Sequence, residues 1–434
     1  MLSSNELLRG TYIYVLTTFI SSLIAFLLLP FLTRYLNPEE IGLIALFQFF
    51  LSIFAVLVGL SVHGAISVQY FKMQKNEFVR FVGSGLLLSI ASFLIIFFLI
   101  NFSSSYIQDI NGLSQNFIFL ALITSLSQVL INIRLSIWQV MNSPVKYGAF
   151  SLALALLTAI SSIALIINYG MKDEGRILSI SFSIIIFSIF SLATIFSSSL
   201  IHFSKESKGF KKALNFGIPL LPHAFATIIL LMSDRLILSS KLSLEAAGIY
   251  FVAMQLALPI NKIGDAFNRA FKPWLFNKIS KSEDLISVLV SYISIFGLIL
   301  MGFIYYIFVY AIYPVFVGED FQSGRDFVAY IIFGNVFQAM YYSVSNYVLF
   351  KEKTIYLSVV TFLTTGLYIF LAWNFVEILG IKGMAILYCS MSICFFVATF
   401  FVSQKINPKP WLKFYDLQIL LKDLIRKRQT KNFR

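Results

Sequence analysis

The chain has 434 residues, 59% of them hydrophobic and 12% charged, with a mean hydropathy of +0.85 and a formal net charge of +13. Soluble domains carry about 25% charged residues, so a soluble enzyme and a disordered chain are both excluded, and 2 Cys exclude a disulfide scaffold. A polytopic membrane protein remains.

A transmembrane helix needs about 20 apolar residues to cross about 30 Å of hydrocarbon. Hydropathy predicts twelve such spans, at 11–35, 41–66, 78–101, 114–142, 145–169, 176–201, 213–238, 246–271, 285–310, 326–350, 355–376 and 380–404. The runs do not alternate at period two, so the fold class is an all-α polytopic membrane protein and not a barrel. The first span has no small-residue cleavage site after it and is expected to stay as a membrane helix. With the N-terminus in the cytoplasm, most of the 33 basic residues fall on the inner side, in clusters such as Lys72, Lys75 and Arg80 or Lys205, Lys208, Lys211 and Lys212. The positive charge is thus a topology signal with both termini inside, and its dispersal over short loops argues against nucleic acid as a partner.

Polar residues inside the spans are the candidates for chemistry, because each is costly in hydrocarbon and faces a cavity or a partner. Arg34 ends span 1 near the outer surface. Span 4 carries Gln128, Asn132, Gln139 and Asn142 on one stripe, with Arg134 rotated about 120° from it. Arg134 either lines a cavity or snorkels to the cytoplasmic headgroups. Span 7 holds Pro219, Pro222 and His223. Each proline removes a backbone hydrogen bond and kinks the helix, which suits a bending gate or a static kink. His223 either relays a proton or bonds a neighbouring carbonyl. Asp234 and Arg235, near the outer end of that span, either pair locally or, through Arg235 together with Arg34, receive an anion.

In span 8, Gln255, Lys262, Asp265 and Arg269 lie within about 80° of one another on a helix. Asp265 and Arg269, spaced i,i+4, can pair, which leaves Lys262 as a point charge for a phosphate. The alternative is that the span leaves the membrane here, with Arg269 and Lys272 snorkelling. Cys389 and Cys394 in span 12 read as buried structural thiols. His63, His202 and His223 fall in separate elements, without catalytic-triad or metal spacing, and no phosphate-cradling loop with a Walker-type Lys occurs. No cofactor is therefore expected, and ATP hydrolysis is not the energy source.

The basic link 202–212 divides the chain into a six-span bundle, 1–201, and a second, 213–404, followed by a basic amphipathic tail, 405–434, suited to anionic lipid. Leu36, Glu39 and Gly42 before and within span 2 recur with the same spacing as Leu242, Glu245 and Gly248 at span 8. Parallel repeats of this kind bind substrate between the halves.

The stretch Leu28 to Leu36, running on through Pro38, Glu39 and Glu40 to Gly42, resembles the start of polysaccharide-exporting membrane proteins. The second half opens with Gly217-Ile218-Pro219-Leu220-Leu221-Pro222-His223, then Ser233-Asp234-Arg235, then Ala247-Gly248-Ile249-Tyr250. That order is similar to the Wzx-type O-antigen flippases of the polysaccharide transporter family, within the multidrug/oligosaccharidyl-lipid/polysaccharide (MOP) exporter superfamily. The resemblance implies a MATE-like pair of six-helix bundles in the bacterial inner membrane. It implies a substrate of undecaprenyl-diphosphate-linked oligosaccharide, coupling to a proton or sodium gradient, and a polysaccharide polymerase and glycosyltransferases as neighbouring activities. On that reading Lys262, Arg269, Gln255, Arg134, Gln128, Asn132 and Arg34 are substrate candidates. Asp265, His223, Pro219, Pro222, Asp234 and Arg235 are coupling or gating candidates. Two rivals are a cation-coupled multidrug exporter of the same fold and a membrane polysaccharide polymerase. A polymerase would need a large outer loop, and a drug exporter an acid in the membrane, for which Asp265 is the one candidate well inside a span.

Overall fold

The structure, a computed structural model, describes residues 4–102, 109–202 and 207–413. Thirteen helices run in chain order among them: α1 (Ser4–Tyr35), α2 (Pro38–Gly59), α3 (Val62–Gln69), α4 (Lys75–Phe102), α5 (Gln115–Val140), α6 (Pro144–Tyr169), α7 (Lys172–Ser197), α8 (Ser207–Gly217), α9 (Leu221–Lys241), α10 (Leu244–Ser280), α11 (Asp284–Phe316), α12 (Val328–Phe350) and α13 (Thr354–Ile406). Two-residue strands, β1 (Asp109–Ile110) and β2 (Leu113–Ser114), pair antiparallel between α4 and α5. Asn111 (φ 51°) and Gly112 (φ 84°) join them. Two left-handed central residues make the tight hairpin turn that Asn-Gly favours.

Nine of the described helices are long and apolar enough to cross a membrane, and two bent pairs raise the number to eleven. At about 1.5 Å per residue, the 53 residues of α13 far exceed one crossing. It is broken at Gly380 (φ 64°, ψ −168°), so it holds two spans and the described residues supply the expected twelve.

Contacts divide the chain into two compact units, one of residues 1–252 and 316–322, the other of 253–315 and 323–434. The 202–212 link drawn from the sequence lies inside the first unit, because α8 packs on α4 and α9 on α2. Within that unit α2 also packs on α5, α5 on α7, and α6 on both α1 and α7. In the second unit α12 lies along α13.

Beyond α13 the chain turns back on its own unit. Lys409 Nζ meets Asp284 at 2.5 Å, and the Tyr292 hydroxyl donates to the Trp411 carbonyl at 2.8 Å. The Trp411 ring is 3% exposed and packs on Tyr292, Tyr347 and Phe400. The sequence places Trp411 on a surface tail; it is instead a core residue, since the ends of α10, α11 and α12 leave apolar surface for it to cover. The amphipathic stretch of the tail, from residue 414 onward, lies outside the described residues.

A methyl group added at Gly380 would meet no atom within 4 Å, so an alanine there is opposed by backbone strain alone. Such a conformation costs a non-glycine residue about 1–3 kcal/mol. Gly380→Ala should lower the unfolding midpoint in detergent, whereas Gly366→Ala, inside the helix and equally open, should not. Fluorescence-detected size exclusion after heating measures both.

Candidate functional site

The first unit holds a cavity of about 270 Å³ lined by Ser52, Ala55, Val56, Gly59, Ser61, His63, Val129, Asn132, Ala224 and Ile228. It forms where α2 ends. Leu60 (φ 43°) and Ser61 (φ 54°) are left-handed non-glycine residues that separate α2 from α3, each strained by about 1–2 kcal/mol. Gly217 permits the break, because any side chain there would fall on the Leu60 carbonyl. The cavity is at the lower end of the range for small-molecule sites.

Asn132, on the predicted stripe of α5, reaches this cavity and accepts a hydrogen bond from Gln128 Nε2 at 3.0 Å. Gln139 and Asn142 of the same stripe are exposed. Arg134 is not at the surface: it is 4% exposed, with its guanidinium 4.3 Å from the Trp138 ring centroid. A stack of this kind contributes about 2 kcal/mol when desolvated. Nε and one terminal nitrogen of Arg134 have no hydrogen-bond partner among the described residues, and no carboxylate there pairs with it. Burial in place of snorkelling follows from Trp138 one turn on, which offers the guanidinium a ring face inside the bundle.

Asp234 and Arg235 form a buried pair at 2.9 Å, with side chains 3% and 4% exposed. Arg235 also donates to the Leu231 carbonyl at 2.9 Å and lies 5.3 Å from the Phe251 ring. Arg34 is exposed at the end of α1. Pro219 sits in the short 3-10 turn Ile218–Leu220 and Pro222 in the first turn of α9. The helical segments either side of them are bent by 47°. The His223 side chain lies outside the described part of the structure.

In the second unit, Gln255 is half-buried and Lys262 exposed. Lys262 makes no ion pair among the described residues. Arg269 Nη2 meets Asp265 Oδ2 at 2.9 Å, with both side chains substantially exposed, so this i,i+4 pair contributes only about 0.3–0.5 kcal/mol.

Three polar features escape the hydropathy pattern. Arg176 of α7 donates to Ser162 Oγ of α6 at 2.6 Å, and Ser162 meets Ser179 at 2.5 Å. Asn346 donates to Asn268 Oδ1 at 2.8 Å, and buried Asn335 donates to the Ile331 carbonyl at 2.9 Å. Their signals are the serines of span 6 at helical spacing and the mid-span amides of spans 8 and 10. Both follow the rule that polar side chains in membrane helices bond across or along helices.

The sequence matches a family model described as polysaccharide biosynthesis protein over residues 7–277. The chain belongs to this family. It is 25% identical over 385 residues to a protein of the Lsg locus of Haemophilus influenzae, covering 86% of this chain and 92% of that one. It is 22% identical over 386 residues to an uncharacterized membrane protein of the same organism, with coverage of 84% and 89%. Its fold is similar to an inward-facing multidrug resistance MATE family transporter of the MOP superfamily, with TM-score 0.68, 15% identity, and coverage of 89% of this chain and 94% of that one. It is equally similar to the lipid II flippase MurJ in an inward closed conformation, with TM-score 0.67, 18% identity, and coverage of 95% and 92%. The fold is thus the MATE/MurJ fold of membrane transporters.

The buried pair on α9 yields a stability test. Removing one partner of a buried ion pair costs about 3–5 kcal/mol, whereas removing both charges costs far less. Arg235→Ala should therefore strongly reduce the amount of folded protein in membranes. Asp234→Asn combined with Arg235→Gln should restore most of it, as read by immunoblot and thermal melting in detergent.

Proposed function

We propose that this membrane transporter is a flippase for an undecaprenyl-diphosphate-linked oligosaccharide, moving repeat units across the bacterial inner membrane for O-antigen or another surface polysaccharide. The observation that carries this reading is Arg134. Arg134 is a buried cation with two unbonded nitrogens and no described carboxylate to answer it, two residues from Asn132 in the cavity lining; an anion such as a diphosphate would answer it once the helices around it part. Membership of the polysaccharide biosynthesis family supports the glycan part of the substrate. Exposed Lys262, in the second unit, offers a further cation to an anionic substrate. The lipid tail stays in hydrocarbon while the polar head crosses, and alternating access coupled to a proton or sodium gradient drives the cycle.

The multidrug-exporter reading shares the fold. It requires a membrane carboxylate free to bind a coupling ion or a cationic drug. Asp234 is held by Arg235 in a buried pair at 2.9 Å, which withdraws it from that role and favours the anionic substrate; Asp265, in an exposed pair with Arg269, is the carboxylate on which the drug-exporter reading rests.

Deleting the gene should abolish surface polysaccharide while lipid-linked repeat units still accumulate on the cytoplasmic leaflet. Single repeat units on the surface with only long chains missing would instead identify a polymerase. In complementation at matched protein levels, Arg134→Ala should reduce export at least tenfold, from loss of a charge-assisted bond of about 1.5–3 kcal/mol. Lys262→Ala should reduce export and Lys262→Arg should retain much of it, because a phosphate accepts either cation. Wild-type export from both alanine variants would remove the cationic site. Reporter fusions at Arg434 and in the 202–212 link should both read cytoplasmic, in line with the basic-loop bias.

A further inference from the structure

Within the second unit, the chain that follows α13 crosses the helix ends beside it. Asn407 Nδ2 donates to the Tyr347 carbonyl of α12 at 3.3 Å, and the Lys409 amide donates to Gln404 Oε1 of α13 at 3.1 Å. The Lys409 ammonium, 7% exposed, meets Asp284 at the start of α11. Trp411 fills a box walled by Tyr292 of α11, Tyr347 of α12 and Phe400 of α13, with each ring met edge-on. Tryptophan near a membrane surface usually sits among headgroups, but this ring is enclosed by protein.

What these residues hold is the tip of the α10–α11 hairpin. Phe271, Leu275 and Ile279 of α10 lie in the same apolar cluster as Trp411. Pro273 stands inside α10, where it removes a backbone hydrogen bond and weakens the helix. Beyond it, Lys278 pairs with Glu283 at 2.7 Å, so the end of α10 and the start of α11 move as one. Side-chain packing then fixes the tip, and Trp411 is part of that packing.

Three features suit a contact that opens and closes. Trp411 Nε1 and Gln404 Nε2 are buried without a hydrogen-bond partner among the described residues. A buried indole usually finds one, and release to water satisfies both groups. Asp284 is 37% exposed, and the other polar fastenings are single hydrogen bonds that water can replace. Pro408 and Pro410 bracket Lys409 and restrict the released segment, which lowers the entropy lost on reclosing.

We propose that residues 407–411 are a releasable strap. Closed, it fixes the tip of the α10–α11 hairpin against α12 and α13. Open, it frees that tip to move about Pro273, and export requires the opening. The last clause rests on the export reading above; the strap itself holds for any cargo.

The test starts from a chain with Cys389 and Cys394 replaced by serine. Asp284→Cys and Lys409→Cys are added, and a short membrane-permeant bis-maleimide bridges them in cells. Bridging should cut newly made surface polysaccharide at least tenfold, whereas the same reagent on either single-cysteine chain should not. Undiminished export from the bridged chain overturns the proposal, and so does an equal loss from either singly labelled chain. Failure of the flippase reading is seen separately, in a deletion strain that keeps its surface polysaccharide.

A second measurement needs no substrate. A spin label at Asn277→Cys, exposed on α10 beyond Pro273, should give a major immobile and a minor mobile component in purified protein. Trp411→Ala should raise the mobile fraction several-fold, and Trp411→Phe should leave it near the starting value. A single immobile component that Trp411→Ala does not change overturns the strap, whatever the export result.

Discussion

Hydrocarbon supplies no hydrogen-bond partner, and many polar side chains among the described residues answer that constraint within the protein. Ser52, Thr158, Ser191, Thr361 and Thr399 each return their hydroxyl to a carbonyl one turn back in their own helix. Arg235 is neutralised by the residue before it, and Arg176 is bonded by a serine of the neighbouring helix. Arg134 differs from these two in that two of its nitrogens lack a partner and none of the described hydrogen bonds or ion pairs involves it. The strained Leu60–Ser61 break lies beside the cavity that Asn132, two residues before Arg134, helps to line.

Arg134 and the Leu60–Ser61 break lie in the same unit, toward the ends of α2 and α5 that the charge bias assigns to the cytoplasm. In the second unit, Lys262 and Arg269 of α10 are exposed.

Twelve spans were legible because hydropathy averages over whole helices and needs no side-chain geometry. Two breaks were legible: Pro219 and Pro222 lie at the bend before α9, and the break at Gly380 falls where hydropathy separates the spans 355–376 and 380–404. Nothing in Leu60-Ser61 announces a left-handed turn. The i,i+4 pairing of Asp265 with Arg269 follows from spacing alone. Burial of Arg134 does not, since helix rotation is set by packing partners, and the same sequence position suits both a snorkelling and an enclosed arginine. Asn111-Gly112 is a strong turn signal that means little until its loop is seen to touch Ser239.

Contacts between distant parts of the chain also have a bearing on how the protein is made. Thr33 waits for Gly318, a partner 285 residues later in the chain, and Ser239 and Ser240 close on a loop 128 and 129 residues earlier. During vectorial synthesis the first bundle enters the bilayer with these helix ends unmatched, and remains so until the ninth span has been delivered. Long-range contacts of this kind form late, since the loop between them must be closed first. These contacts are then the last part of the first unit to assemble, and a nascent chain stalled before residue 318 leaves bare a surface that only its own second half can cover.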